Sequence, residues 1–233
     1  MHEASVRSRP GFGPAEGRAA ALEGLRAAGV VGVVRVDSAA AARQAAMAYI
    51  RGGLGCVEIT MTTPEATAII TELADRYRED PTVLVGAGTV LTRDQARAAL
   101  DAGARYLVAP IAPDIAGLAR EYGAATVLGA LTPSEIVAAL DKGSDIVKVF
   151  PVSAVGGVGY FADIFGPLAG LPLWAAGGTT IADIGAYLRA GVQVVGLAGA
   201  VLPAAAVRAG DWAAIEGLAR AAVAAARAGC AAG

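Results

Sequence analysis

Short apolar runs rich in β-branched residues alternate with helical patterns along almost all of the 233 residues. Such runs are typical of strands, whereas apolar residues that recur every three or four positions are typical of helices. Eight alternating units in a chain of this length predict an α/β fold, the closed (β/α)8 TIM barrel. The alternative, an open doubly wound sheet, has less support because no Gly-x-Gly-x-x-Gly turn follows the first strand. The predicted strands are residues 30–36, 56–61, 83–87, 106–109, 126–129, 146–150, 173–176 and 194–197.

Helices are predicted between the strands, and an extra N-terminal helix precedes the first strand. Residues that cap or begin helices stand at Ser38, Thr63-Pro64, Thr92 and Thr132-Pro133. Glycines that accept a left-handed backbone follow several of these segments. The predicted helices are residues 15–28, 39–51, 64–78, 93–102, 115–122, 133–140, 161–168, 181–190 and 212–228.

Nothing in the composition divides the chain into two domains. We therefore predict one barrel domain over residues 15–229, preceded by a disordered tail over residues 1–14. The tail lacks the apolar core of a signal peptide, which favours a cytoplasmic protein.

Composition also excludes several classes of function. The net charge of −2, with acidic and basic residues interspersed, argues against a nucleic-acid surface, and no apolar run is long enough for a membrane span. The only histidine is His2, and the two cysteines, Cys56 and Cys230, indicate a reducing compartment. A metal site built from several His or Cys ligands and a Ser-His-Asp mechanism are therefore excluded. Lysine, carboxylate, hydroxyl and backbone groups must carry any catalysis.

One of only two lysines among the 19 Lys and Arg residues interrupts an apolar strand. This residue is Lys148, within residues 146–151. An amine, unlike a guanidinium, can lose its proton and attack a carbonyl to form a Schiff base. The structural alternatives are an ammonium that reaches solvent at the strand end and an ion pair with a carboxylate.

Two further charged residues lie where a barrel would place its active site, at the C-terminal ends of strands. Glu58 lies in the second predicted strand and Arg35 in the first. A carboxylate inside an apolar strand is costly to bury unless it is paired or protonated. Glu58 is therefore a candidate general acid and base beside the Lys148 imine, and its alternative is an ion pair with Arg35 or Lys148. Arg35 is equally compatible with an anionic substrate and with a buried salt bridge.

Glycines follow the seventh and eighth predicted strands, at Gly177-Gly178 and Gly199. Many barrels bind phosphate at this position through backbone N–H groups. The same glycines are compatible with ordinary turns, so this signal is weak on its own.

Several motifs together resemble one family of enzymes. They are Val57-Glu58-Ile59-Thr60, Gly86-Ala87-Gly88-Thr89-Val90-Leu91, Thr132-Pro133-Ser134-Glu135, Lys148-Val149-Phe150-Pro151, Gly156-Gly157, Gly166-Pro167, Gly177-Gly178 and Ala209-Gly210-Asp211-Trp212. From Val30 to the C-terminus the chain resembles the class I 2-keto-3-deoxy-6-phosphogluconate (KDPG) and 4-hydroxy-2-oxoglutarate (KHG) aldolases.

The resemblance implies cleavage of a 2-keto-3-deoxy sugar acid, KDPG or KHG, to pyruvate and an aldehyde. Lys148 would form the imine with the small-molecule 2-keto acid, and Glu58 would be the acid/base residue. The iminium accepts the electrons of the broken bond, so the resemblance implies no metal or other cofactor. It also implies a homotrimer. The substrate-binding residues that it implies are Arg35, Thr62, Thr89, Pro110, Phe150, Gly177, Gly178 and Gly199.

The chain departs from the family pattern around the expected phosphate site. The loop after strand 7 reads Ala175-Ala176-Gly177-Gly178 where Pro-Thr-Gly-Gly is usual, and Ala198-Gly199-Ala200 lacks the usual serine. The usual lysines of the helix after strand 6 are also missing. We therefore hypothesise a preference for a smaller or unphosphorylated 2-keto acid. The alternatives are another phosphate-binding enzyme on the same barrel and a barrel that binds a ligand without catalysis.

Overall fold

The computed structural model describes residues 13–231, which contain a closed ring of eight parallel strands. Neighbouring strands pair in chain order, and the ring closes where the last strand pairs with the first, with Gly32 opposite Leu197. The predicted (β/α)8 barrel is thus confirmed. The strands are β1 (Val30–Val34), β2 (Cys56–Thr60), β3 (Leu84–Gly88), β4 (Tyr106–Val108), β5 (Ala125–Ala130), β6 (Ile146–Val149), β7 (Leu173–Ala176) and β8 (Val194–Leu197).

Helices precede, separate and follow the strands, and the extra N-terminal helix is present. Ser38, Thr92 and Thr132 cap helices as predicted, each accepting a hydrogen bond from a backbone N–H of the first turn. The helices are α1 (Pro14–Ala28), α2 (Ala39–Arg51), α3 (Ala66–Arg76), α4 (Arg93–Asp101), α5 (Ala116–Glu121), α6 (Pro133–Asp141), α7 (Val158–Phe165), α8 (Ile184–Arg189), α9 (Ala204–Ala209) and α10 (Trp212–Ala231). Most of the predicted tail, residues 1–14, lies outside the described residues.

The structure corrects several predicted boundaries. The helix expected to begin at Pro64 begins at Ala66. Thr63 does not cap it, because the buried Thr63 hydroxyl bonds to Thr60 and to the Val34 carbonyl instead. The first strand ends at Val34 rather than at residue 36.

Two further helices differ from prediction. The helix α7 begins three residues before the predicted start, directly after a glycine-rich turn. The short helix α9 was not predicted, because its six residues contain no residue that the fold buries and so no apolar stripe marks it.

Side chains alternate between the interior of the ring and the layer beneath the helices. Cys56 of β2 and Ile146 of β6 belong to the interior cluster, whereas their neighbours Val57 and Val147 belong to the outer core. Two residues of α1, Ala21 and Leu25, join the interior cluster. The helix α1 therefore closes the N-terminal end of the ring. Because side chains on a strand alternate with period two, the residues two positions beyond Cys56 and Ile146 face the interior nearer its open end.

No helix within residues 13–231 is long and apolar enough to cross a membrane.

Candidate active site

The amine of Lys148 lies inside the ring, near the C-terminal end of β6. The residue is 8% exposed, and its Nζ lies 5.3 Å from the centre of the Phe150 ring. The salt bridges found in residues 13–231 do not involve Lys148. A sheltered amine outside any ion pair is suited to nucleophilic attack on a carbonyl.

The carboxyl group of Glu58 shares this interior. Glu58 is 1% exposed, and neither carboxyl oxygen has a hydrogen-bond partner among the described residues. Burial raises the pKa of Glu58, while the positive charges of Lys148 and Arg35 act in the opposite direction. A carboxyl group with a raised pKa can both accept and return a proton near neutral pH.

A glycine of β3 makes the room that Glu58 occupies. A Cβ atom built on Gly88 would lie 1.8 Å from Glu58 Oε1, so the carboxyl group rests against the bare backbone. Any side chain at position 88 would displace the carboxyl group.

Arg35 lies at the rim of the barrel, just beyond the end of β1. It is exposed, and its Nη2 donates a hydrogen bond of 3.1 Å to the Thr89 hydroxyl. Thr89 adopts a left-handed backbone with φ of 55°, which is uncommon for a residue other than glycine and is often found at functional sites. The buried salt bridge considered for Arg35 is not formed by the described residues. The guanidinium therefore remains available to an anion at the barrel mouth.

Thr62 lies at the mouth beside the end of β2. Its hydroxyl is 3.0 Å from that of Thr60, which in turn is 3.0 Å from the Thr63 hydroxyl. This chain of hydrogen-bonded hydroxyls fixes the start of the loop that follows β2.

Pro110 and Phe150 lie close to the lysine strand. A Cβ atom on Gly129, which is paired with Lys148, would lie 2.2 Å from the Pro110 backbone. A Cβ atom on Gly177 would lie 2.8 Å from the Phe150 ring. Both of these predicted substrate-binding residues are thus held against glycines of neighbouring segments.

Gly177, Gly178 and Gly199 follow β7 and β8 as predicted. Gly177 and Gly178 both have a positive φ, and Gly178 packs against Ser153. The N–H groups of Gly178 and Gly199 donate no hydrogen bond to the described backbone. Between residues 149 and 207 the sequence contains a single Lys or Arg, which is Arg189 in the last turn of α8. This side of the mouth therefore offers backbone donors but little positive charge.

The sequence alone marks Gly88 only as part of a motif and does not single out Thr60 or Tyr106. For Thr60 and Gly88 the available signal is the alternation of side chains along a strand. Thr60 faces the same side of β2 as Glu58, and Gly88 faces the same side of β3 as Gly86. Among the described residues, no three His, Cys, Asp or Glu side chains are grouped so as to hold a metal ion.

Comparisons with known proteins agree on one family. Residues 22–218 match the family model for KDPG and KHG aldolases. The 2-dehydro-3-deoxy-phosphogluconate aldolase of Treponema pallidum is 32% identical over 200 residues, which cover 85% of this chain and 92% of that protein. The KHG/KDPG aldolase of Escherichia coli is 34% identical over 196 residues, which cover 83% of this chain and 90% of that protein.

A solved structure has the same architecture. It is the KDPG aldolase of Legionella pneumophila with pyruvate captured as a covalent carbinolamine intermediate. Its sequence is 28% identical, and the match has a TM-score of 0.75 and covers 91% of this chain and 98% of that one.

Proposed function

Because this chain belongs to the KDPG and KHG aldolase family, we propose that Lys148 and Glu58 carry out its catalytic steps. The protein is a class I aldolase, an aldehyde-lyase that works through a Schiff base. The observation that supports these residues is the buried Lys148 amine in the same barrel interior as a buried, unpartnered Glu58 carboxyl group.

Cleavage begins when the neutral amine of Lys148 adds to the C2 carbonyl of the 2-keto acid, and the carbinolamine takes up a proton from solvent and loses water to give an iminium. Glu58, as a carboxylate, takes the proton of the C4 hydroxyl. The C3–C4 bond breaks, its electron pair moves into the iminium, and the aldehyde leaves. Glu58 then returns a proton to C3 of the enamine, and water releases pyruvate and restores Lys148. The iminium is the electron sink, so these steps require no metal.

The substrate carboxylate binds at the Arg35 side of the mouth in this proposal. The guanidinium and the hydroxyl of Thr89 already lie together there, and Thr62 is on the adjacent strand end. A charged donor to a carboxylate contributes about 1.5–3 kcal/mol of binding. Pro110 and Phe150 form the walls on either side of the lysine.

The far end of the substrate extends toward Gly177, Gly178 and Gly199. The scarcity of cations between residues 149 and 207 favours a tail without a phosphate group. The enzyme therefore prefers an unphosphorylated 2-keto-3-deoxy acid over its phosphorylated counterpart, although both have the same bond to break.

This preference is tested by comparing kcat/KM for the phosphorylated and unphosphorylated forms of one 2-keto-3-deoxy sugar acid. We expect the unphosphorylated form to be cleaved more efficiently. A strong preference for the phosphorylated form would mean that the backbone N–H groups bind phosphate without the help of a cation.

The role of Lys148 is tested by borohydride reduction in the presence of pyruvate, read by mass spectrometry of peptides. We expect a stable pyruvyl adduct on Lys148 that disappears in Lys148→Arg. The matched control is Lys142→Arg, because Lys142 is the other lysine and its Nζ bonds to the Ala112 carbonyl on the surface. An adduct elsewhere, or none, would contradict the assignment. It would instead favour an enzyme of another class or a barrel that only binds its ligand.

We also propose a cytoplasmic homotrimer. The thiols of Cys56 and Cys230 are free, which is typical of a reducing compartment. Two large apolar side chains, Leu91 and Ile111, are exposed in the loops that follow the adjacent strands β3 and β4. Exposed apolar side chains that form one patch are typical of a contact surface, and the adjacent positions of these two loops favour such a patch.

A further inference from the structure

The hydroxyl of Tyr106 is buried inside the barrel and has no hydrogen-bond partner among the described residues. Tyr106 begins β4 and is 0% exposed. Buried polar groups in proteins are nearly always bonded to protein or to ordered water. A hydroxyl at this depth therefore requires a partner within the barrel.

Two glycines of β3 bring this hydroxyl near the carboxyl group of Glu58. A Cβ atom on Gly86 would lie 2.4 Å from Tyr106 Cζ, the ring carbon that carries the hydroxyl. A Cβ atom on Gly88 would lie 1.8 Å from Glu58 Oε1. The two glycines are alternate residues of one strand, so they face the same side about 7 Å apart.

The two unpartnered groups are thus neighbours on one interior surface. The hydroxyl end of Tyr106 lies over one glycine and the carboxyl end of Glu58 over the next, without a direct bond between them. A water molecule between two polar groups bonds to both almost as well as they would bond to each other.

We propose that Tyr106 is a positioning residue for Glu58, with its hydroxyl donating a hydrogen bond through one trapped water molecule to the Glu58 carboxylate. This inference rests on the proposed role of Glu58 as the proton carrier. It adds a residue that touches neither the substrate nor the imine.

The donor would tune the proton affinity of Glu58. The titratable groups that act on Glu58 are Lys148 from β6 and Arg35 beyond β1, and those that act on Tyr106 are Glu58 and Cys56 from β2. Burial raises the pKa of Glu58, and it also raises the pKa of Tyr106, so the phenol stays protonated and remains a donor. A hydrogen bond to the ionised form of a carboxyl group lowers its pKa. Tyr106 therefore keeps Glu58 able to ionise in a position where burial opposes ionisation.

The test is Tyr106→Phe, which removes the hydroxyl and keeps the ring that fills the space beside Gly86. We expect the acid limb of the pH profile of kcat/KM to move to higher pH by about one unit. At pH values below that limb, the activity of the variant should be about tenfold lower than that of the unmodified enzyme, and KM should change little.

Trapping of pyruvate on Lys148 should remain, which separates this result from a failure of the proposed function. If trapping fails in the unmodified enzyme, the proposed function is wrong. If trapping succeeds and the pH profile of Tyr106→Phe is unchanged, only the role of Tyr106 is wrong.

Tyr49→Phe is the matched control. Tyr49 is also fully buried, but it packs outside the ring and its hydroxyl bonds to the Val33 carbonyl. We expect this variant to lose some stability without a shift of the pH profile. A hydroxyl at Tyr106 with no partner and no role would give the opposite pattern, which is a higher melting temperature in Tyr106→Phe with an unchanged profile.

A crystal structure of the unmodified enzyme tests the geometry without any variant. We expect an ordered water molecule within hydrogen-bond distance of both Tyr106 Oη and a Glu58 carboxyl oxygen. Finding Tyr106 Oη bonded elsewhere, with no such water, would overturn the proposal.

Discussion

At the scale of single residues, the balance of charge around Glu58 predicts an unusual effect of pH on stability. Burial makes the folded pKa of Glu58 higher than its unfolded value. The carboxyl group therefore contributes most to stability below the unfolded pKa, and this contribution is lost as the pH rises through the folded pKa. Glu58→Gln removes the ionisation. We expect its melting temperature, relative to the unmodified protein, to be higher at pH 8 than at pH 4, while aldolase activity falls about 100-fold or more.

Glu135→Gln provides a control of opposite sign. Glu135 is exposed in the capping box of α6, where hydrogen bonds from Thr132 and Leu131 lower its pKa. Its contribution is present above the unfolded pKa and is lost as the pH falls. The variant should therefore be relatively less stable at pH 8 than at pH 4. The same trend in Glu58→Gln would show that ionised Glu58 is stabilised by Lys148 rather than penalised by burial.

At the scale of elements, strand β3 makes room for the site because two of its residues, Gly86 and Gly88, have no side chain. In Gly88→Ala the new methyl group would occupy the position of the Glu58 carboxyl group, which must move. Because misplacement of a catalytic group by about 1 Å can cost about 100-fold in rate, we expect a fall of that order in kcat. Steady-state kinetics measures this effect, and pyruvate trapping on Lys148 should persist.

Gly117→Ala is the matched glycine substitution. Gly117 is exposed in α5, and a Cβ atom there would meet nothing within 4 Å. Alanine favours a helix over glycine, so this variant should keep full activity and gain up to about 1 kcal/mol of stability. Normal kcat in Gly88→Ala would show that Glu58 does not act from the position it has in this structure.

The elements also show where sequence reasoning reaches its limit. Apolar runs and caps predicted the barrel, because alternation and capping are local properties of the chain. Which residue lies beside Glu58 depends on the register of β2 against β3, where Glu58 pairs with Gly86. No local pattern encodes that pairing. Likewise, the sequence predicts that the Thr63 hydroxyl caps a helix. Only the fold shows that this hydroxyl forms hydrogen bonds with the Thr60 hydroxyl and the Val34 carbonyl instead.

At the scale of the whole molecule, the exposed apolar side chains beside the barrel mouth predict assembly. We expect light scattering to give a mass three times that of one chain. Ile111 is 54% exposed, and Ile111→Asp would place a charge within the proposed contact surface, so this variant should dissociate. Ala221→Asp, on the exposed face of α10, should leave the trimer intact. A monomeric unmodified protein, or a trimeric Ile111→Asp variant, would contradict the proposed contact.

The uneven distribution of cations also bears on how fast the enzyme meets its substrate. Proteins that surround a cleft with one sign of charge draw oppositely charged ligands from a distance and lose this advantage as ionic strength rises. Here the approach past β6 to β8 has only Arg189, at the opposite end of a helix. Capture of a 2-keto acid should then be governed by ordinary diffusion and by local contact with Arg35 at the rim, so added salt should lower kcat/KM no more than the screening of that one contact does.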